Sequence, residues 1–233
     1  MTDHRVDTGD LQQAHTIARF WPVVSASVAL ALVLIMAGII ALRPNEPFAI
    51  DLRWMGEVVE HRSPFWTVPA LIMDTLGGGL IGVVIIPVGI VVVLLLFRRP
   101  WAALYYAISA ALSAGAVQLL KVTVGRARPE DMLVQSDPGS FPSGHTANAA
   151  TTAVALAIIF PRVWVWVVGS AYALAMALSR TYLGAHWLSD TIGGLLLGAG
   201  VAVLVWAPLA YKLAAESTRP HPFVLSGKPS PTL

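Results

Sequence analysis

Apolar runs long enough to cross a lipid bilayer recur six times along this chain, and they decide its fold class before any other feature is weighed. A spanning helix needs about 20 apolar residues, because the hydrocarbon core is about 30 Å thick and an α-helix rises about 1.5 Å per residue. The runs are Trp21–Leu42, a second reaching Phe97, Trp101–Leu120, Thr146–Phe160, Val163–Leu178 and Leu188–Ala210. The second is densest from Leu80 and begins near Trp66, so it takes in Asp74 and the Gly77-Gly78-Gly79 run. A kink is expected in it at Pro87, where neighbouring helices can satisfy a freed carbonyl. The expectation is an all-α, polytopic membrane protein built as a six-helix bundle.

Composition supports that class and removes others. Only 12% of the 233 residues are charged, about half the share a soluble domain carries, and mean hydropathy is +0.70. Fifteen Lys and Arg residues are too few for a nucleic-acid binder, and none is expected as a partner. With no cysteine, disulfides, thiolate nucleophiles and Cys-ligated metal sites are all excluded. Six of the eight Trp residues, Trp21, Trp66, Trp101, Trp164, Trp187 and Trp206, fall near span ends, as an interfacial aromatic belt places them. The first run is longer than a signal-peptide core and has no convincing small-residue cleavage site, so it is expected to remain as a span. Residues 1–20 are expected to be a cytoplasmic tail, 21–210 the membrane domain, and 211–233 a cytoplasmic tail without fixed structure.

Six spans put both termini on one side. Lys121, Arg126, Arg128 and Arg180 stand in two connections whose cations have other work, described next. With those four set aside, the terminal side holds eight Lys and Arg against three. That bias predicts cytoplasmic termini, with those two connections on the extracytoplasmic face of an inner (plasma) membrane.

Those connections hold three clusters. The first runs from Lys121 through Arg126 and Arg128 to Pro129, the second is Pro142-Ser143-Gly144-His145-Thr146, and the third joins Ser179 and Arg180 to His186 and Asp190. Fixed cations at the ends of apolar helices are costly unless they are paired or face a polar cavity. The carboxylates in view beside them, Glu130, Asp131, Asp137 and Asp190, are few. An unbalanced positive pocket suits an anion, and the planar fork of Arg suits phosphate. Taken singly, each cation could simply snorkel to the headgroup region. Ser143 is a good helix N-cap, and free amides beyond it make an anion seat at the positive end of a helix dipole. His186 and Asp190, four apart, share a face if a helix begins by Ala185 or His186. A carboxylate on one ring nitrogen then fixes the tautomer and leaves the other bare, as a nucleophile requires.

Together the clusters resemble the signature of the type 2 phosphatidic acid phosphatase superfamily: Lys, six residues, Arg-Pro; Pro-Ser-Gly-His; then Ser-Arg, five residues, His, three residues, Asp. Every position stands in this chain, in order and at the family's spacing, over Lys121–Asp190. The resemblance implies a six-helix core shared with the haloperoxidases and a lipid phosphate or diphosphate as substrate, with an undecaprenyl or other polyprenyl diphosphate favoured over phosphatidylglycerophosphate or phosphatidic acid. It implies a phosphohistidine on His186, oriented by Asp190, and His145 as the acid for the leaving group. Lys121, Arg128, Arg180 and the Ser143 and Gly144 amides would hold the phosphate oxygens. Arg126, between family positions, is a candidate headgroup contact. No metal and no cofactor are implied. Two readings from other classes stand beside this one: a transporter, for which Asp74 beside three glycines would be a broken-helix site, and a non-catalytic lipid-binding scaffold.

Overall fold

The structure, a computed structural model, describes residues 8–43 and 46–218, with side chains from residue 20 onward. Among the described residues it is helical throughout and holds no strand. The helices are α1 (Thr8–Ala41), α2 (Ala49–Glu60), α3 (Pro64–Gly77), α4 (Ile86–Leu96), α5 (Pro100–Val124), α6 (Gly144–Ile159), α7 (Val163–Tyr182) and α8 (Leu188–Ser217). A π-helical segment, Ile81–Ile85, leads into α4.

Among the described residues, four helices are long and apolar enough to cross a membrane: α1 over Phe20–Ala41, α5, α7 and α8. The pair α3 and Ile81–Leu96, bent by 51°, makes a fifth span if taken together. The sixth expected span, α6, has only 16 residues, about 24 Å at the helical rise. It is nevertheless the inner helix of the bundle. Ala147, Ala149, Ala150, Ala153, Ala155 and Ala157 are all buried, so α6 meets protein where the longer helices meet lipid. The break in the second span also differs from expectation. It falls at Gly78 and Gly79, the latter at φ +56°, whereas Pro87 stands inside the continuous helix Ile81–Leu96, just after its π-helical segment, where Asn148 Nδ2 of α6 donates to the Gly82 carbonyl at 2.8 Å.

Small residues set how closely the inner helices approach. A Cβ on Gly198 would lie 2.2 Å from the Ala147 carbonyl oxygen, and one on Gly194 would lie 2.6 Å from that of Ser143. The Gly194-x-x-x-Gly198 face therefore brings the α8 backbone into contact with α6, as small residues do between membrane helices. Buried hydroxyls add polar ties: Thr151 Oγ1 donates to Ser113 Oγ of α5 at 2.9 Å.

The first connection carries α2, which buries Asp51 and Met55 and exposes Ile50 and Leu52. The boundaries of the tails shift as well. α1 begins at Thr8, inside the expected N-terminal tail, and α8 continues to Ser217, so the C-terminal tail expected from Tyr211 begins as helix. Residues 1–7 and 219–233 lie outside the described residues.

Candidate active site

The three clusters meet at one end of the bundle, where α5 and α7 finish and α6 and α8 begin. Their connections are stitched together: Leu133 N–H donates to the Leu183 carbonyl at 2.8 Å, and Ser143 N–H to that of Asp190 at 3.0 Å.

His186 lies in the turn between α7 and α8 and is 2% exposed. Asp190, at the third position of α8, accepts the Trp187 N–H at 2.9 Å and so caps the helix that follows His186. Its Oδ2 lies 3.5 Å from His186 Nδ1, at ion-pair range, yet Nδ1 completes no hydrogen bond. On the other side of the ring, Nε2 is 3.3 Å from Arg128 Nη1. A guanidinium can only donate. Nε2 is therefore the acceptor and carries the lone pair, and the ring proton sits on Nδ1, facing Asp190. Burial holds the His186 pKa well below the ordinary histidine value, and Arg128, Arg180, Lys121 and His145 push it further down. His186 is a neutral imidazole with its bare nitrogen turned to a cation.

The cations differ in how they are held. Arg128 donates through Nε to the Asp137 carbonyl at 2.9 Å, through Nη2 to Gly139 at 3.0 Å, and through Nη1 to Ala185. These bonds shape the long α5–α6 connection around the guanidinium, whose own pKa is lowered by burial. Arg180, in the last turn of α7, is 1% exposed. Its Nη1 meets the Asp74 carboxylate, and its Nε is buried without a partner. Lys121, in the last turn of α5, is close enough for its charge to act on His186.

Ser143 is the N-cap of α6, but its amide is bound to the Asp190 carbonyl. It is not available to an anion as the sequence suggested. Gly144, the first helical residue, keeps an N–H without an intrahelical acceptor. His145 Nε2 lies 3.3 Å from Asp74 Oδ1 and 3.2 Å from the Asp74 carbonyl.

Arg126 corrects another expectation. It is 5% exposed and turned inward, away from any headgroup. Nη2 pairs with Asp51 Oδ2 at 2.7 Å and Nη1 with Asp190 Oδ1 at 2.5 Å. Ser189 joins the cluster, its N–H and hydroxyl donating to Asp51 at 2.9 and 2.7 Å. The pocket is thus less unbalanced than its own loops implied: Lys121, Arg126, Arg128 and Arg180 meet Asp51, Asp74 and Asp190. Asp51 lies outside the site expected from the sequence, and Asp74 enters that expectation only under the transporter reading. The available signal was a carboxylate inside an apolar span for Asp74, which marks function by default. For Asp51 it was a carboxylate at the third position of a short amphipathic helix.

The arrangement defines a multi-pass membrane protein that buries a neutral imidazole among cations at one end of its bundle. Residues 102–214 match the PAP2 superfamily. It is 42% identical over 65 residues to an undecaprenyl-diphosphatase of Sulfolobus acidocaldarius, covering 28% of this chain and 31% of that one. It is 33% identical over 135 residues to lipid A 1-phosphatase of Rhizobium johnstonii, 50% and 53% of the two chains. The chain spans about half or less of the length of these curated relatives. Among solved structures, the transmembrane PAP2 type phosphatidylglycerolphosphate phosphatase from Bacillus subtilis superposes with a TM-score of 0.66 at 25% identity, covering 84% of this chain and 98% of that one.

Proposed function

We propose that the protein is a membrane lipid phosphatase that transfers the phosphoryl group of a lipid phosphate or diphosphate to His186 and then to water. The observation that carries this is the His186 ring itself, neutral, with Nε2 bare and directed at Arg128 amid Lys121 and Arg180. In the first step Nε2 attacks phosphorus, the bond to the leaving oxygen breaks, and His145 gives that oxygen its proton. In the second, water attacks the phosphohistidine, His145 takes a proton from the water, and inorganic phosphate departs. The unpartnered Nε of Arg180, the Lys121 ammonium, the edge of Arg128 and the Gly144 N–H hold the equatorial oxygens, where phosphoryl transfer concentrates charge. Asp190 orients His186.

A polyprenyl diphosphate such as undecaprenyl diphosphate is the favoured substrate, supported by the relative named for that activity; phosphatidylglycerophosphate and phosphatidic acid are the alternatives. The long tail stays in lipid while the headgroup reaches the end of the bundle. Cation bias supports the extracytoplasmic face of the inner membrane for that end, with residues 21–210 as the catalytic domain and the flanking tails in the cytoplasm.

The test is release of inorganic phosphate by purified protein in detergent, with and without chelator, over a panel of lipid monophosphates and diphosphates. Release that survives chelator and is lost in His186→Ala supports the reading. No release from any member of the panel, or full activity in His186→Ala, overturns it.

A further inference from the structure

Asp74 stands outside all three clusters, yet it touches two of their members. It lies in the last turn of α3, just before the chain breaks at Gly78 and Gly79. Its Oδ1 is shared between Arg180 Nη1 and His145 Nε2, and its main-chain carbonyl also faces Nε2. The break is moulded on the same ring: a Cβ on Gly78 would lie 2.1 Å from Nε2, and one on Gly77 would lie 2.9 Å from Cδ2. Two acceptors and two side-chain-free residues thus enclose one edge of the imidazole.

We propose that Asp74 and the Gly77–Gly78 break form a cradle that positions His145 as proton donor and acceptor. This rests on the role given to His145 above. Both Asp74 groups at Nε2 are acceptors, so Nε2 carries a proton throughout the cycle, and Nδ1 is the atom that exchanges one. In the first step Nδ1–H protonates the leaving oxygen. The neutral ring keeps its Nε2–H on Asp74, so Nδ1 is left with the lone pair that takes a proton from water in the second step. A ring free to rotate would present the wrong nitrogen for part of the time, the fault that an orienting carboxylate prevents in other histidine sites.

The experiment compares leaving groups. A short alkyl phosphate leaves as an alkoxide and needs a proton, whereas nitrophenyl phosphate leaves as a stable anion and does not. Asp74→Asn lowers kcat by at least about tenfold on the alkyl ester and by less than about threefold on the aryl ester, the asymmetry expected when general acid catalysis is lost. Gly78→Ala, which drives a methyl into the ring, gives the same split, and Asp74→Glu restores part of the alkyl rate. The Asp74→Asn/His145→Ala pair is no slower than His145→Ala alone. Inhibition by inorganic phosphate stays within about threefold of the parent in Asp74→Asn, since the phosphate contacts persist. Equal losses on both esters in Asp74→Asn and Gly78→Ala, or an effect confined to phosphate inhibition, overturn the proposal. If His145→Ala itself shows no preference between the esters, it is the reading of His145 as acid that fails.

Discussion

Arg126 and Asp190 form an ion pair in which neither side chain is more than 3% exposed, and the second nitrogen of Arg126 carries the pairing on to Asp51. One guanidinium therefore links the carboxylate behind His186 to a helix of the first connection. Removing one partner of a buried pair leaves an uncompensated charge, which costs about 3–5 kcal/mol. Arg126→Met should lower thermal stability in detergent by that order. Arg126→Met/Asp51→Asn should recover part of the loss, because one stranded carboxylate is gone. An unchanged melting temperature in Arg126→Met would contradict the buried pairing.

The depressed pKa of His186 predicts the acid side of the pH profile. The folded group titrates below the ordinary value of about 6.5, so the nucleophile stays neutral as pH falls through that value. Once substrate ionisation is allowed for, the acid limb of kcat/KM should lie below pH 6.5. Arg128→Gln removes one of the charges that disfavour the imidazolium. The limb should then move to higher pH, whatever happens to the height of the profile. A limb that stays in place would mean that another group controls it.

His145→Ala should cost about 10²–10⁴-fold on lipid monophosphates, the usual worth of a general acid, and clearly less on diphosphates, whose phosphate leaving group needs the proton less. His186→Ala should abolish turnover on both. Initial rates on matched monophosphate and diphosphate lipids check this directly, and equal losses for His145→Ala on the two would refute it.

The glycine contact between α6 and α8 predicts a localised packing failure. Gly198→Val places a side chain where even a Cβ would sit 2.2 Å from the Ala147 carbonyl oxygen. Such overpacking costs about 1–3 kcal/mol or more, and it should also part Ser143 from Asp190 and lower activity. Gly115→Ala in α5, where a Cβ meets nothing within 4 Å, should cost neither stability nor rate, since Ala favours a helix interior over Gly. Thermal unfolding and phosphate release on the two variants provide the comparison.

The sequence made one half of the site legible and hid the other. Lys121, Arg128, Ser143, His145, Arg180, His186 and Asp190 stand at fixed spacings beside helix ends, so local pattern alone nominates them, and the structure brings them to one end of the bundle. Asp51 and Asp74 carry no such pattern. Their significance is their partners, Arg126 and Ser189 for one and His145 and Arg180 for the other, all far along the chain and joined only by tertiary packing. The same limit explains Arg126, whose spacing suggested a headgroup and whose burial serves Asp190. It explains the kink too: Pro87 is the stronger local signal, but the helix runs on through it from the π-helical segment, while the sharp bend comes at Gly78, against which the His145 imidazole is pressed.

The shortness of α6 has a consequence for the surrounding lipid. A rod of about 24 Å set in a slab about 30 Å deep falls short by roughly one helical turn. The far end of α6 is braced, its Ile159 carbonyl accepting from Arg99 at 3.3 Å. Its near end meets the last turn of α3, where His145 Nε2 lies 3.2 Å from the Asp74 carbonyl. If that shortfall lies at the near end, a headgroup and the water that follows it descend to reach Gly144, and hydrocarbon thickness sets how far they travel.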